Sequence, residues 1–216
     1  MIDLKGKRVL CVAAHPDDEV IGCGATLCRA VERGAEVRVL LPLKRSDPRG
    51  IAHWTQLVTQ FYQAVAHLGG TAIVPDDALA EEHVEAETMG LHRLVEPWVE
   101  WCDIVFTHWP GDVHQSHRSV ARAIEVATRP FRRQRIVLHY EIPTSTDQAY
   151  RDTFSPNFFV HVEDRHLKRK LEAFALYTTE TAPGRDGDGL RRRLELRGAQ
   201  INAAVAEAFV LSRAYA

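Results

Sequence analysis

Residues 8–32 read RVLCVAAHPDDEVIGCGATLCRAVE, and the order of residue types in this stretch sets the architecture. After the leading Arg8, residues 9–14 form an unbroken apolar run of strand length. A half-buried strand would alternate, so a continuous run predicts a strand covered on both faces, as in parallel sheets. The run stops at His15-Pro16-Asp17-Asp18-Glu19. Residues 20–32 then read as a helix, with Gly34 as its stop. The same alternation continues outward. Strands are expected at 36–43, 71–74, 103–107, 135–139 and 158–162. Helices are expected at 53–68, 85–101, 116–128, 167–177 and 190–209. The pattern predicts an α/β fold, a Rossmann-like three-layer sandwich with a mainly parallel sheet. No linker, repeat or low-complexity segment interrupts it, so residues 1–216 are expected to form one domain. Residues 44–50 and 182–189, rich in Gly, Pro and charge, are expected to be mobile loops.

Composition narrows the function. A chain of 216 residues, 45% of them hydrophobic, suffices for one core. Lys plus Arg is 27 against 29 Asp plus Glu, a formal charge of -2, which makes no electrostatic case for nucleic acid or an anionic membrane. No segment approaches the roughly 20 apolar residues of a membrane helix. The first apolar run is cut short by His and acids, so it is not read as a signal peptide. Cys11, Cys23, Cys28 and Cys102 lie in apolar segments without a CxxC pair, the pattern of reduced thiols in a cytoplasmic protein. A small-molecule enzyme remains open.

In a parallel sheet, ligands bind beyond the carboxyl ends of the strands. Two polar clusters fall at such ends: His15 to Glu19, and His108-Trp109-Pro110-Gly111-Asp112-Val113-His114-Gln115-Ser116-His117. His, Asp and a distant second His suit a catalytic zinc with a fourth position left to water. His15 and Asp18 are three apart at a turn into a helix, so both can reach one ion. Asp17 and Asp18 diverge, so one can ligate while the other acts as a base. Similarly, one of His114 and His117 can ligate while the other faces substrate. The blander reading of the first cluster is an N-cap, with Asp17 or Asp18 capping the helix and Glu19 favouring its dipole. Two clusters with complementary ligand types favour the metal site. His53, His67, His83, His92, His139, His161 and His166 are read as surface or packing residues.

AHPDDEVIGCGATL, residues 14–27, resembles almost letter for letter the opening signature of the LmbE-like, or PIG-L, family of zinc-dependent N-acetyl-sugar deacetylases. THWPGDVHQSH (107–117) is similar to that family's second metal motif. YEIPTST (140–146), FSPNFFVHVEDRHLKRKLEAFALY (154–177) and AEAFVLSR (206–213) resemble its later blocks. The resemblance implies His15, Asp18 and His117 as metal ligands, usually to zinc, although iron or another divalent ion suits the same donors. It implies Asp17 as general base and His114 as acid and electrostatic stabiliser. Asp112 falls where some members place another active-site polar residue. Family members often carry Asp where this chain has Ser116, and an Arg and a Glu near the position of Gln60; these differences bear on ligand positioning and substrate choice.

The expected reaction is removal of an N-acetyl or other N-acyl group from an amino sugar or its conjugate. Asp17 would accept a proton from metal-activated water, and Asp17 or His114 would protonate the leaving amine. The basic loop 45–49, Arg49 included, is on the blander reading a solvated loop; as a group its residues would meet a sugar hydroxyl, carboxylate or phosphate. Trp109 would stack on a sugar ring or pack over the sheet edge. Gly22 and Gly24 are read as close helix packing, and Arg191 to Arg193 as an exposed helix face. The expected partner is a small molecule, with no nucleic acid or membrane, and a homo-oligomer is compatible with this size. The competing readings are an amidase for a non-sugar amide and a non-catalytic Rossmann-like binding module.

Overall fold

The computed structural model describes residues 2, 4–131, 134–150 and 152–215; the side chain of Arg49 lies outside the description. In chain order the elements are β1 (Arg8–Val12), α1 (Asp18–Glu32), β2 (Glu36–Leu40), β3 (Leu43–Lys44), α2 (Pro48–Leu68), β4 (Thr71–Ile73) and β5 (Leu79–Ala80). A 3₁₀ turn (Glu81–His83) leads to α3 (Thr88–Trp101), β6 (Ile104–His108), α4 (Gln115–Ala127) and β7 (Ile136–Tyr140). A second 3₁₀ turn (Thr146–Gln148) precedes β8 (Phe158–His161), α5 (Asp164–Phe174), α6 (Gly187–Ala199) and β9 (Ala206–Arg213). The main sheet runs β4-β2-β1-β6-β7-β9-β8. Strands β4, β2, β1, β6 and β7 are parallel, and β9 is antiparallel to both its neighbours. β3 and β5 form a separate parallel pair.

The apolar run of β1 is unbroken because each face meets a helical layer. Val9 and Cys11 join Val37, Val39, Ile104 and Phe106 under α1, α2 and α5. Leu10 and Val12 join Leu40, Val105 and Val137 under Val95, Val99, Val120 and Ile124 of α3 and α4. This is a three-layer α/β fold, and each large aliphatic side chain fully buried in it contributes about 1.5–3 kcal/mol. The chain leaves β1 toward β2 on one side, and β6 lies on the other. The crevice at this reversal of strand order is where the two polar clusters emerge.

Three expectations change. Residues 36–43 do not make one strand: β2 ends at Leu40, and Leu43–Lys44 turns away past Pro42 to pair with β5. Much of residues 44–50 is helix start, with Asp47 accepting from the Gly50 amide and Pro48 in the first turn. Residues 190–209 are not one helix. α6 stops at Ala199, Asn202 takes a left-handed φ of 56°, and Ala206–Arg213 enters the sheet as β9. Gly198 lets the chain fold back, because a Cβ there would lie 2.6 Å from the Ala203 carbonyl oxygen.

β9 also brings Glu207 into the interior. Its carboxylate accepts from the consecutive α1 amides of Ala25 (3.0 Å) and Thr26 (2.7 Å) and pairs with Lys170 Nζ at 2.6 Å. The same ammonium donates to the Ile21 carbonyl at 2.7 Å. β9 and α5 thus clamp the helix that follows the first cluster.

Candidate metal centre

Ala13 and Ala14 carry β1 into the crevice. The Ala14 amide donates to His108 Nε2 at 3.0 Å, and the Tyr140 hydroxyl donates to the Val12 carbonyl at 2.9 Å. The ends of β1, β6 and β7 are therefore tied together before any polar side chain is placed. Gly22 allows this closure, since a Cβ there would sit 2.3 Å from the Tyr140 ring.

His15, Asp18 and His117 converge. His15 Nδ1 lies 3.3 Å from Asp18 Oδ2 and 3.2 Å from His117 Nε2, and His117 Nε2 lies 3.5 Å from Asp18 Oδ2. Donors on a tetrahedral ion with bonds of about 2.0–2.1 Å stand about 3.3 Å apart, so this triangle has the size of one face of a zinc site. Asp18 Oδ1 and Asp17 Oδ1 are buried without hydrogen-bond partners, the condition of groups that await a ligand or water. Donor types, spacing and orphaned oxygens all fit a divalent metal. Burial lowers the His15 pKa, but hydrogen bonds to Asp18 and Glu81 outweigh it and raise the pKa to about 9; His117 is raised against burial chiefly by Asp18.

Asp17 sits at the N-cap position of α1 but caps nothing. Its φ is 107°, and its side chain makes no cap bond. The backbone is held by its own carbonyl, which accepts from Val20 and Ile21, and by Glu19 Oε2, which accepts the Asp17 amide at 3.1 Å. The capping reading of HPDDE thus fails for Asp17, whose carboxylate turns into the crevice. There Arg185 Nη2 donates to Oδ2 at 2.6 Å. Burial raises the Asp17 pKa to about 7 although Arg185 pulls it down.

His114 caps α4, its Nδ1 accepting from the Ser116 amide at 3.3 Å, which leaves the proton of the neutral ring on Nε2. Burial and the neighbouring His15 and His117 rings lower its pKa to about 4. The lowered pKa favours the neutral ring, whose Nε2–H is a hydrogen-bond donor. Asp112 is buried beside the centre, with both oxygens engaged by protein groups. Its Oδ2 lies 3.2 Å from His117 Nδ1 and accepts from Ser145 Oγ (3.0 Å) and Thr146 Oγ1 (2.5 Å), while Oδ1 accepts the His114 amide. Trp109 is half-buried and packs perpendicular to the rings of His139 and Phe154. The side chain expected of Arg49 falls outside the described residues.

The family profile of PIG-L, GlcNAc-PI de-N-acetylase, matches residues 10–128, more than half the chain. The chain belongs to the PIG-L family. Among PIG-L relatives, the uncharacterized deacetylase YaiS of Escherichia coli is 28% identical over 177 residues, 78% of this chain and 89% of YaiS. The N,N'-diacetylchitobiose deacetylase of Pyrococcus horikoshii superposes with a TM-score of 0.65 at 20% identity, covering 94% of this chain and 82% of that one. GalB, the 4-carboxy-2-hydroxymuconate hydratase of Pseudomonas putida, superposes with a TM-score of 0.74 at 15% identity, covering 97% and 98%. These superpositions share the fold. A hydratase among them means that the architecture alone does not fix the reaction, which depends on the side chains at the site.

Several residues of this PIG-L centre lie outside the two motifs. Arg185 comes from the Gly-rich segment 182–189, which closes into a turn by reciprocal backbone bonds between Ala182 and Arg185. Beyond its setting in a Gly-rich, charged loop, nothing in the sequence marks it. Glu81 Oε1 lies 2.7 Å from His15 Nε2, and no motif marks it. His108, stacked on His117 with ring centroids 4.0 Å apart, keeps its Nε2 engaged by the Ala14 amide. Gln60 faces Thr178 Oγ1 at 3.1 Å. Arg193 pairs with Asp147 and Glu141, unlike the exposed Arg191 and Arg192.

Proposed function

We propose that this PIG-L protein is a zinc-dependent N-deacetylase that hydrolyses the N-acetyl, or another N-acyl, group of an amino sugar or sugar conjugate. The observation that carries the reading is the triangle of His15 Nδ1, Asp18 Oδ2 and His117 Nε2, with sides of 3.2–3.5 Å. Zinc, or another divalent ion, held by these three residues would supply an acidified water and a polarised carbonyl. Asp17 takes the proton from the attacking water through its free Oδ1, while Arg185 holds Oδ2. A carboxyl with a pKa of about 7 is matched to accept that proton and return it to the leaving amine. His114, neutral, offers Nε2–H as a hydrogen bond to the developing oxyanion. Asp112 orients His117 from behind.

Among the described residues no helix is long and apolar enough to cross a membrane. The four cysteines are buried and free, which supports a reducing cytoplasm as the setting. Perpendicular contacts with His139 and Phe154 hold part of the Trp109 ring against protein, which leaves an amidase for a non-sugar amide as the second reading.

Metal analysis of the purified protein, paired with amine detection over N-acetyl-amino sugars and simple acyl amides, tests both readings. Asp17→Asn is expected to keep its metal and lose turnover by about 10²–10⁴-fold. His117→Ala is expected to lose both. Wild-type turnover in Asp17→Asn removes the base from the scheme, and stoichiometric zinc in His117→Ala removes that ligand.

A further inference from the structure

Each histidine of the triangle has a carboxylate behind its outer nitrogen. For His117 it is Asp112, from the same motif. For His15 it is Glu81, which comes from the 3₁₀ turn after β5 and belongs to neither cluster. His15 turns Nδ1 toward Asp18 and His117, and Nε2 toward Glu81 Oε1 at 2.7 Å. A neutral imidazole carries one proton, and a ligating nitrogen must be bare. With Nε2–H donated to Glu81, the Nδ1 lone pair is the one left facing the centre.

Glu81 is itself held. Ser116 Oγ donates to the same Oε1 at 2.7 Å from the first turn of α4, where it is fully buried. The adjoining backbone is fixed by the β3–β5 pairing and by the Glu82 amide donating to Ser46 Oγ at 3.3 Å. The two-stranded β3–β5 sheet, which adds nothing to the main core layers' strand order, thereby brings a carboxylate to the rim of the metal crevice. Position 116 offers a hydroxyl, and the negative charge beside it comes from a segment 35 residues earlier.

We propose that Glu81 is the positioning residue for His15, fixing its tautomer and ring orientation for metal binding, with Ser116 as the anchor of Glu81. This rests on the reading of His15 as a ligand through Nδ1. An incidental ion pair at the crevice rim would contribute little to metal affinity; an orienting carboxylate contributes about 10- to 100-fold.

The test uses the full chain with Glu81→Ala, Glu81→Gln and Ser116→Ala, stripped of metal and titrated with zinc against a chromophoric chelator. Nitrogen-15 spectra of the histidine rings of the zinc-loaded proteins are recorded alongside. Glu81→Ala is expected to bind zinc about 10- to 100-fold more weakly and to lose the slowly exchanging Nε2–H of His15. Glu81→Gln, which keeps an acceptor oxygen, and Ser116→Ala should lose less affinity and shift that proton signal. Wild-type affinity with an unchanged Nε2–H signal in Glu81→Ala overturns the proposal. If Glu81→Ala does not fold, the same unchanged pair of readings in Glu81→Gln overturns it. Failure of the underlying reading looks different: His15→Ala would then bind zinc as the wild type does, whatever the Glu81 variants do.

Discussion

Asp17 is the residue in which backbone and chemistry meet. A non-glycine residue at φ 107° costs about 1–3 kcal/mol, and here that conformation turns a carboxylate away from the helix it precedes. Glu19 and Arg185 hold it from two sides. Replacing Arg185 by Ala should leave metal content unchanged and lower kcat by about 10²-fold, because Oδ2 is no longer fixed. The pH dependence has a definite sign. Burial raises the Asp17 pKa and Arg185 opposes it, so removing the guanidinium raises the pKa above about 7. The base proposed at Asp17 must be ionised to work; the acid limb of the rate profile should therefore move to higher pH in Arg185→Ala, which a kcat/KM profile from pH 5 to 9 would measure. The acid and imidazole types at 15, 17, 18 and 117 were legible in the sequence because they crowd into two short stretches. Arg185 and Glu81 were not, because single charged residues in loops carry no local pattern and gain meaning only when the chain folds them onto the crevice. Asp112 was visible as polar, but only burial reveals that its oxygens serve His117.

At the level of elements, the parallel strands were readable because burial on both faces demands uninterrupted apolar runs. The tail from 190 onward was not. Its alanines have high helix propensity, yet Ala206, Ala208 and Phe209 pack between β7 and β8, and tertiary burial outweighs propensity. Gly198→Ala should be destabilising by about 2–3 kcal/mol, since the added carbon meets backbone oxygen and carbonyl carbon that cannot rotate away. Urea denaturation gives the number, and an unchanged midpoint would contradict the tight turn. The same tail supplies the clamp on α1. Glu207→Ala would strand the Lys170 ammonium, nearly free of solvent, beside the apolar faces of α1 and α5. Breaking such a pair costs about 3–5 kcal/mol.

For the molecule as a whole, two helical layers enclose the sheet while the polar groups gather at one end of it. Among these, Asp112 and Glu81 are acids that fold into depressed titration. Burial pushes both upward, but His117 for Asp112 and His15 for Glu81 overcome it, leaving each at about 2. Carboxyls with lowered native pKa values stabilise fully above their unfolded values near 4 and lose that contribution as pH falls through the native ones. The metal-free protein should therefore lose stability progressively from about pH 4.5 to 2. Urea midpoints across that range should fall, and Asp112→Asn should flatten the fall.

Glu207 grips amides of α1 that precede it by 182 and 181 positions. During synthesis on the ribosome, the helix bearing the first cluster must wait for about 180 further residues to emerge before its inner face is sealed. A nascent chain stalled short of β9 would present that helix without its carboxylate clasp, open to chaperones and proteases. Synthesis of β9 is thus tied to completion of a crevice whose first residues were made about 180 positions earlier.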